Sequence, residues 1–308
     1  MRAIAITRYG GPEVLEVRDL PEPKVGPDTV LVRVRAAGVN PVDWKTREGK
    51  LVDRFDVHLP AVLGWDLAGV VERTGPSVVE FAPGDEVIGY VRRDVIDHGT
   101  YAELCPAPVR TLARKPVAVS WAEAAALPLA GLTAYQALRA VDVGADDTVL
   151  VHAAAGGVGH LAVQLARALG ALRVIGTASP ANHDYLRSLG AEPVEYGPGL
   201  ADRVRALAPG GVDAALDLVG GDAVGVSTGL VRAPERIVSI ANPASVSTVG
   251  GRYIFVRADP VGLAELARLV DAGELTVHIA QTYPLSEAAA AHQLVQDGHV
   301  RGKVVLEV

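Results

Sequence analysis

The sequence predicts a two-domain α/β protein, in which one domain is β-rich and the other is built on a doubly wound parallel sheet. Residues 1–115 read as short strands separated by Gly and Pro, whereas strands alternate with amphipathic helices from about residue 120 onward. The length of 308 residues also suits two hydrophobic cores better than one. We therefore expect the two domains to divide near residue 121.

The N-terminal part of the chain shows the apolar-polar alternation of strands. Residues 29–35 alternate with period two, and residues 67–72 run into a Gly-Pro turn at 75–76. A Pro-Gly-Asp turn at 83–85 precedes another short apolar segment. Turns at this spacing predict an antiparallel, roughly barrel-like domain.

The second domain begins with a helix start signal. Ser120 and Glu123 have the spacing of a capping box. Strands are predicted at 149–152, 173–177 and 212–217, and helices at 158–169 and 183–189. This order requires right-handed crossovers and therefore a parallel sheet. After this domain the pattern predicts helices at 260–272 and 286–296 and a last strand at 303–308.

Composition and charge argue against several classes of protein. The chain has 29 Lys and Arg against 36 Asp and Glu, with no long basic run, so nucleic-acid binding is disfavoured. The single cysteine, Cys105, cannot form an internal disulfide or a four-cysteine zinc site. No apolar run approaches the roughly 18 residues of a membrane span, and the first residues alternate like a strand, unlike a signal peptide. We expect a soluble, cytoplasmic protein without membrane or nucleic-acid partners.

A glycine-rich segment, residues 152–159, joins a predicted strand to a predicted helix. Ala154, Gly156 and Gly159 occupy the three small positions of the dinucleotide-binding fingerprint, with Ala in place of the first Gly. Small residues let a pyrophosphate approach the free amides at the helix N-terminus. The segment predicts a dinucleotide site that includes Gly156, Gly157, Val158 and Gly159. The alternative is a tight turn that binds no ligand.

The end of the next predicted strand favours NADPH over NADH. NAD-dependent proteins usually carry an acid there, about 20 residues after the glycine-rich segment, to bind the ribose hydroxyls. In this chain the first acid is Asp184, and it follows Ser179, Asn182 and His183. Hydroxyl, amide and imidazole groups tolerate a 2′-phosphate that a carboxylate would repel. Ser179 can alternatively cap a helix, and the two roles are compatible.

Several segments in a fixed order carry a resemblance to a known family. They are residues 38–45, 63–71, 81–87, 127–135 and 299–305, together with the glycine-rich segment. From the first residue to the last, the chain resembles the zinc-lacking quinone oxidoreductases and zeta-crystallin-like enzymes of the medium-chain dehydrogenase/reductase superfamily. The resemblance implies a GroES-like catalytic domain, from residues 1–121 and 259–308, and a Rossmann cofactor domain, from residues 122–258. It also implies a homodimer that uses residues 252–257 as an edge strand.

The resemblance further implies chemistry without zinc. By motif, the zinc-ligand positions of the related alcohol dehydrogenases fall on Asn40, Trp65 and Leu129, none of which is a good zinc ligand. A conjugated acceptor suits such an enzyme, because hydride addition leaves charge in an enolate or hydroquinone that hydrogen bonds can stabilise. We therefore expect NADPH-dependent hydride transfer to a quinone or an α,β-unsaturated carbonyl compound.

Individual roles also follow from the resemblance. Asn40 is expected to orient the nicotinamide ribose and the substrate, with Asp43 as a hydrogen-bonding partner; alternatively, both residues only shape the turn before Trp44. Asp66 is expected to be a hydrogen-bond hub, and Thr133 to lie beneath the nicotinamide unless its hydroxyl bonds its own helix. The other expected cofactor contacts are Tyr196, Val219, Ile240, Ala241, Phe255 and Val256.

Three questions stay open at this stage. Tyr101 has the chemistry of a proton donor, but its segment also reads as a core strand with a packed tyrosine. The substrate pocket is expected to be walled by loops such as residues 46–59 and 91–98, whose shape the sequence does not encode. A biosynthetic enoyl reductase and a non-enzymatic NADPH sensor remain alternative functions.

Overall fold

A computed structural model describes residues 1–308, and its helices and strands fall into two units. The first unit comprises Met1–Leu129, Arg257–Gly273 and Val277–Val308, and the second comprises Ala130–Val256 and Glu274–Thr276. The first division lies after residue 129 and not near 121, because the helix Trp121–Ala126 packs on strands Thr29–Val39 and Asp66–Thr74 of the first unit.

The chain forms seventeen strands and ten α-helices, numbered here in chain order. The strands are β1 (Arg2–Ile6), β2 (Glu16–Asp19), β3 (Thr29–Val39), β4 (Asp56–Val62), β5 (Asp66–Thr74), β6 (Glu86–Tyr90), β7 (Val95–His98), β8 (Leu104–Pro108), β9 (Leu112–Arg114), β10 (Thr148–Val151), β11 (Arg173–Ala178), β12 (Glu192–Glu195), β13 (Ala214–Asp217), β14 (Ile237–Ser239), β15 (Arg252–Tyr253), β16 (Ile279–Pro284) and β17 (Lys303–Glu307). The helices are α1 (Pro41–Arg47), α2 (Trp121–Ala126), α3 (Pro128–Ala140), α4 (Gly159–Ala168), α5 (His183–Ser188), α6 (Leu200–Leu207), α7 (Ala223–Thr228), α8 (Pro243–Thr248), α9 (Pro260–Asp271) and α10 (Ala288–Asp297).

The first unit contains two sheets. One has the strand order β2-β1-β4-β7, and the other has the order β16-β17-β3-β5-β6-β9 with β8 also paired to β3. The antiparallel pairing predicted for residues 1–115 is right for β3 with β5 and β8, but wrong for β4 with β7, which are parallel. Outside that range, β17 pairs antiparallel with β3 and parallel with β16. The central strand β3 is mostly buried and ends at Val39, so that Asn40 follows it directly.

Two segments predicted to be loops contain strands. Residues 46–59 include the start of β4, and residues 91–98 include β7. The sequence pattern did not predict β4 because its first five residues are exposed or only half-buried, and so lack the alternation of a half-buried strand.

The second unit is a parallel six-stranded sheet with the order β12-β11-β10-β13-β14-β15. This confirms the predicted doubly wound sheet. From β10 the sheet is extended in one direction by β11 and β12 and in the other direction by β13, β14 and β15. Its core contains Leu150, Ile175, Ala215 and Ile237. Ligands of such sheets bind outside the carboxyl ends of the strands, where the strand order reverses. In this unit that point lies between β10 and β13.

Candidate active site

The glycine-rich segment lies at the reversal point of the second unit. The strand β10 ends at Val151, and α4 begins at Gly159. The amide of Ala153 donates to Thr177 Oγ1 at 3.0 Å, and the amide of Ala154 donates to the Thr177 carbonyl at 2.9 Å, which ties the segment to β11. These two bonds fix the path of the backbone into the helix.

Two amides at the start of α4 fit a pyrophosphate. The N–H groups of Gly157 and Val158 make no hydrogen bond within the protein, and no side chain caps the helix at Val158. A ten-residue helix such as α4 adds the positive end of its dipole at this position. Unpaired donors at a helix N-terminus bind anions, so these residues fit the phosphates of a dinucleotide.

Two glycines of the segment have different structural roles. A Cβ atom on Gly159 would lie 2.2 Å from the Ala153 carbonyl oxygen and 2.7 Å from the Ala154 backbone, so this position requires glycine for packing. A Cβ atom on Gly156 would meet only the Ala153 oxygen, at 3.3 Å. The space beside Gly156 is therefore open, which is what the approach of a ligand to the backbone requires.

Most of the predicted cofactor residues lie after the carboxyl ends of the parallel strands, at one edge of the sheet. Ser179, Asn182 and His183 follow β11, Tyr196 follows β12, Val219 follows β13, Ile240 and Ala241 follow β14, and Phe255 and Val256 follow β15. Thr133 is the exception, since it lies buried within α3. Its contact with the nicotinamide stays a prediction.

Asp217 and Ser239 join two of these strand ends. Asp217 Oδ1 accepts from the amides of Val219 at 3.0 Å and Gly220 at 2.7 Å, and Oδ2 accepts from Ser239 Oγ at 2.7 Å. Ser239 Oγ in turn accepts from the amides of Ala241 and Asn242. Both side chains are fully buried, and their hydrogen bonds fix the backbone conformation of the segments after β13 and β14. The sequence analysis assigned no role to Asp217.

The residues after β11 carry no charge that would oppose a phosphate. Ser179 precedes the short turn Pro180–Asn182, and its hydroxyl makes no capping bond there; instead Asn182 Nδ2 donates to it at 3.3 Å. The Nε2 atom of His183 is buried without a hydrogen-bond partner. Asp184 pairs with Arg187 at 2.6 Å, and its side chain is 99% exposed. The first acid of the segment thus faces solvent on α5.

Asn40 and Asp43 lie at the N-terminus of α1 in the first unit. Asn40 is the N-cap residue, and Asp43 Oδ2 accepts from the Asn40 amide at 2.8 Å. Both side chains are buried, with 1% and 2% of their surface exposed. The two residues therefore do shape the turn into α1, which was the structural alternative. Their contact with cofactor and substrate stays a prediction.

A chain of hydrogen bonds runs from Asp43 through three further buried side chains. Tyr101 OH donates to Asp43 Oδ2 at 2.9 Å, and His292 Nε2 lies 3.2 Å from Tyr101 OH. Arg47 Nη1 lies 3.5 Å from His292 Nδ1. Because a guanidinium can only donate, Nδ1 of His292 accepts and its Nε2 carries the proton. Every donor in the chain is therefore directed toward Asp43.

Burial shifts the pKa values of these groups strongly. Burial raises the pKa of Asp43 to about 7, against the hydrogen bonds from the Asn40 amide and Tyr101. Burial, followed by the nearby Arg47 charge, lowers the pKa of His292 to about 3, so this imidazole is neutral. Burial and the Asp43 charge raise the pKa of Tyr101 well above its ordinary value. Tyr101 has no exposed surface, and its ring packs edge-on against that of His292, with the centroids 5.6 Å apart.

Asp66 is the expected hydrogen-bond hub. Its Oδ2 accepts from Asn40 Nδ2 at 2.8 Å, and its Oδ1 accepts from the Leu129 amide at 2.8 Å. The ammonium of Lys303 lies on the other side of Asn40, where it donates to Asn40 Oδ1 and to the Val39 carbonyl. The sequence analysis missed Lys303, Arg47 and His292, since each reads as an ordinary residue of a strand or helix.

The pKa of Asp43 gives a testable pH dependence of stability. A carboxyl whose pKa is raised on folding holds its proton more tightly in the folded protein, so its contribution to stability is largest at low pH and is lost as the pH rises through about 7. In Asp43→Asn the amide imitates the protonated acid. We expect the free energy of unfolding of this variant, minus that of the wild type, to rise by about 1.4 kcal/mol for each pH unit between about 5 and 7.

Urea unfolding at several pH values measures this difference. Asp85→Asn is the matched control, because Arg114 and the Ala82 amide hold the pKa of Asp85 below its ordinary value. The difference in free energy of unfolding between Asp85→Asn and the wild type should stay constant over the same pH range. A constant difference for Asp43→Asn as well would show that Asp43 is already ionised at about pH 5.

The three positions that correspond to zinc ligands are occupied by residues that pack or form hydrogen bonds within the protein. Trp65 packs edge-on against the rings of Phe55 and Tyr90, with centroids 5.4 and 6.1 Å away. Asn40 and Leu129 are both engaged with Asp66. No group of three or more His, Cys, Asp or Glu side chains is arranged to hold a metal ion.

None of the helices combines the length and apolar character needed to cross a lipid bilayer.

Comparison with known proteins identifies the family. Residues 26–117 match the model of the alcohol dehydrogenase GroES-like domain, and residues 189–306 match a zinc-binding dehydrogenase model. The chain is 33% identical to an NADPH-dependent alkenal/one oxidoreductase of Arabidopsis thaliana, over 99% of this chain and 79% of that protein.

Two solved structures are similar over the whole chain. The quinone oxidoreductase from Coxiella burnetii is 37% identical with a TM-score of 0.86, covering 100% of this chain and 99% of that one. A mycobacterial protein solved in complex with NADPH is 33% identical with a TM-score of 0.85, covering 100% of both chains. The chain therefore belongs to the quinone oxidoreductase-like branch of the medium-chain dehydrogenase/reductase superfamily and is an oxidoreductase.

Proposed function

We propose that the protein is an NADPH-dependent reductase of quinones or α,β-unsaturated carbonyl compounds. The main support for the proposal is that the N–H groups of Gly157 and Val158 make no hydrogen bond and lie at the reversal point of the parallel sheet. They fit the pyrophosphate of a nicotinamide dinucleotide, which supplies a hydride when bound. The Arabidopsis relative and the Coxiella structure are named for reduction of enones and quinones, which supports this substrate class.

The segment after β11 supports NADPH as the cofactor. Ser179, Asn182 and His183 present a hydroxyl, an amide and an imidazole, and the carboxylate of Asp184 pairs with Arg187. A 2′-phosphate would therefore meet hydrogen-bonding groups and no carboxylate from these residues. The mycobacterial structure with bound NADPH is consistent with this choice.

Asn40 and Asp43 are the residues proposed to act at the reacting end of the cofactor. The Asn40 carboxamide would hydrogen-bond the nicotinamide ribose and the substrate, while Asp43 fixes the Asn40 backbone through its amide. Hydrogen bonds of this kind can stabilise the charge that an enolate or hydroquinone acquires. Zinc has no part in this proposal, because Asn40, Trp65 and Leu129 stand at the ligand positions. Metal analysis that found stoichiometric zinc would contradict it.

The test is consumption of NADPH, followed by nicotinamide absorbance, with NADH in parallel. The acceptors are ortho- and para-quinones, short enones and an enoyl-CoA. We expect turnover with quinones or enones and a preference for NADPH. Turnover confined to enoyl-CoA would favour the biosynthetic enoyl reductase, and tight NADPH binding without turnover would favour a sensor.

Two further properties belong to the same proposal. A homodimer that pairs the β15 edge, within residues 252–257, follows from the resemblance and is tested by light scattering. A cytoplasmic location is tested by cell fractionation. The chloroplastic Arabidopsis relative shows that family membership alone does not decide the compartment.

A further inference from the structure

Lys303 is a lysine in the interior of the first unit. It begins β17, where its neighbours Val304, Val305 and Leu306 are buried apolar residues, and only 4% of its own surface is exposed. Its ammonium donates to the Val39 carbonyl at 3.0 Å and to Asn40 Oδ1. Burying an ammonium costs free energy, and an apolar residue at this position would avoid that cost.

The Asn40 carboxamide lies between this ammonium and a carboxylate. Its Oδ1 accepts from Lys303, and its Nδ2 donates to Asp66 Oδ2 at 2.8 Å. An ammonium has only donors, and an ionised carboxylate has only acceptors. A rotation of the amide by half a turn would place N–H against ammonium and oxygen against carboxylate, so only one orientation forms both bonds.

The fixed orientation determines what Asn40 can offer to a ligand. One Nδ2 proton is used by Asp66, while the second makes no hydrogen bond within the protein. The amide therefore keeps one unpaired N–H donor. A donor is the group that a carbonyl oxygen needs as negative charge develops on it.

We propose that Lys303 is a positioning residue, which together with Asp66 holds the Asn40 carboxamide in the orientation that the reaction uses. This inference rests on the proposed function, in which Asn40 contacts the nicotinamide ribose and the substrate. Lys303 itself touches Asn40 and the backbone, and it acts through Asn40. The neighbouring acids Asp66 and Asp43 favour its charged form, whereas burial lowers its pKa.

The test is a double-mutant cycle between Lys303→Met and Asn40→Ala. Methionine keeps the length of the side chain and removes the ammonium. We expect Lys303→Met to lower kcat by about 30- to 100-fold while the Kd for NADPH changes by less than about threefold. In the Asn40→Ala background the same change should lower kcat by less than about threefold, because the amide is already gone.

Lys115→Met is the matched control. Lys115 is another lysine of this unit, with a side chain 7% exposed. It donates to the Pro116 carbonyl, lies over the Trp121 ring and pairs with Glu86 at 3.5 Å. Its replacement should lower the melting temperature and leave kcat within about twofold. An equal loss of kcat from Lys303→Met in both Asn40 backgrounds would show a merely structural role and would overturn the inference.

Side-chain NMR separates this inference from the proposed function. The chain has three asparagines, Asn40, Asn182 and Asn242, so the Asn40 amide signals are assigned with Asn40→Ala. In the wild type the Nδ2 proton bonded to Asp66 should be protected from exchange, and Lys303→Met should shift its signal or remove its protection. A wild type without turnover on any acceptor would overturn the proposed function, while unchanged amide signals in Lys303→Met would overturn the positioning role.

Discussion

Replacing Gly156 with valine is expected to abolish NADPH binding while the protein stays folded. The new Cβ atom would meet only the Ala153 oxygen, at 3.3 Å, which requires a shift of a few tenths of an ångström, and Gly156 does not have a positive φ. We therefore expect the fold to accommodate the side chain. The valine methyl groups would fill the space beside the free amides of Gly157 and Val158. We expect the Kd to rise at least about 100-fold, which is 2.7 kcal/mol of binding free energy. NADPH fluorescence titration and thermal unfolding measure the two effects.

Two other glycines of the same unit serve as controls. Gly159→Ala should destabilise the fold, because its Cβ would lie 2.2 Å from the Ala153 oxygen and 2.7 Å from the Ala154 backbone. Gly144→Ala should leave folding and NADPH binding unchanged, because nothing lies within 4 Å of its Cβ. Unchanged NADPH affinity in a folded Gly156→Val protein would place the pyrophosphate elsewhere.

Replacing Asp217 with alanine is expected to destabilise the second unit strongly. The buried carboxylate accepts three hydrogen bonds, from Val219, Gly220 and Ser239. Its removal leaves three buried or partly buried donors unpaired, at about 1–3 kcal/mol each. We expect the free energy of unfolding to fall by about 3 kcal/mol or more, with weaker NADPH binding because two strand ends lose their fixed backbone.

Denaturant unfolding and NADPH titration test this result. Asp222→Ala is the control, since Asp222 is an exposed acid five residues further along whose side chain makes no capping bond to α7. It should change the free energy of unfolding by less than about 0.5 kcal/mol. If Asp217→Ala unfolds at the same denaturant concentration as the wild type, the carboxylate does not hold the strand ends together.

Local pattern and spacing were sufficient to predict three of the six strands of the second unit (β10, β11 and β13), together with α4, α5 and the glycine-rich segment. The apolar strands, the helix caps and the glycine-rich segment lie within a few residues of the structure they specify, and β10 and α4 lie within one residue of their predicted bounds. The carboxyl edge of a parallel sheet then follows from topology. For this reason nearly all of the predicted cofactor residues lie at one edge of the sheet.

The buried network of the first unit could not be predicted in this way. Asn40 and Lys303 are separated by 263 positions in the sequence, and Tyr101 and His292 by 191. Their proximity depends on the pairing of β17 with β3 and on the packing of α10, which no local signal encodes. The resemblance indicated Asn40 and Asp43, but it gave no reason to select a lysine in a closing strand.

The pairing of β17 with β3 has a consequence for how the enzyme is made. The second unit consists almost entirely of the continuous stretch 130–256, so a nascent chain can fold it early. The first unit is different, because Lys303 reaches Asn40 only after translation has passed the last strand. Until then only Thr29–Arg33 of this β3 edge can pair, with β8, while Ala36–Val39 stay unpaired because their partner lies more than 250 residues downstream. We expect a ribosome-stalled chain that lacks β17 to bind the dinucleotide before it can reduce any substrate.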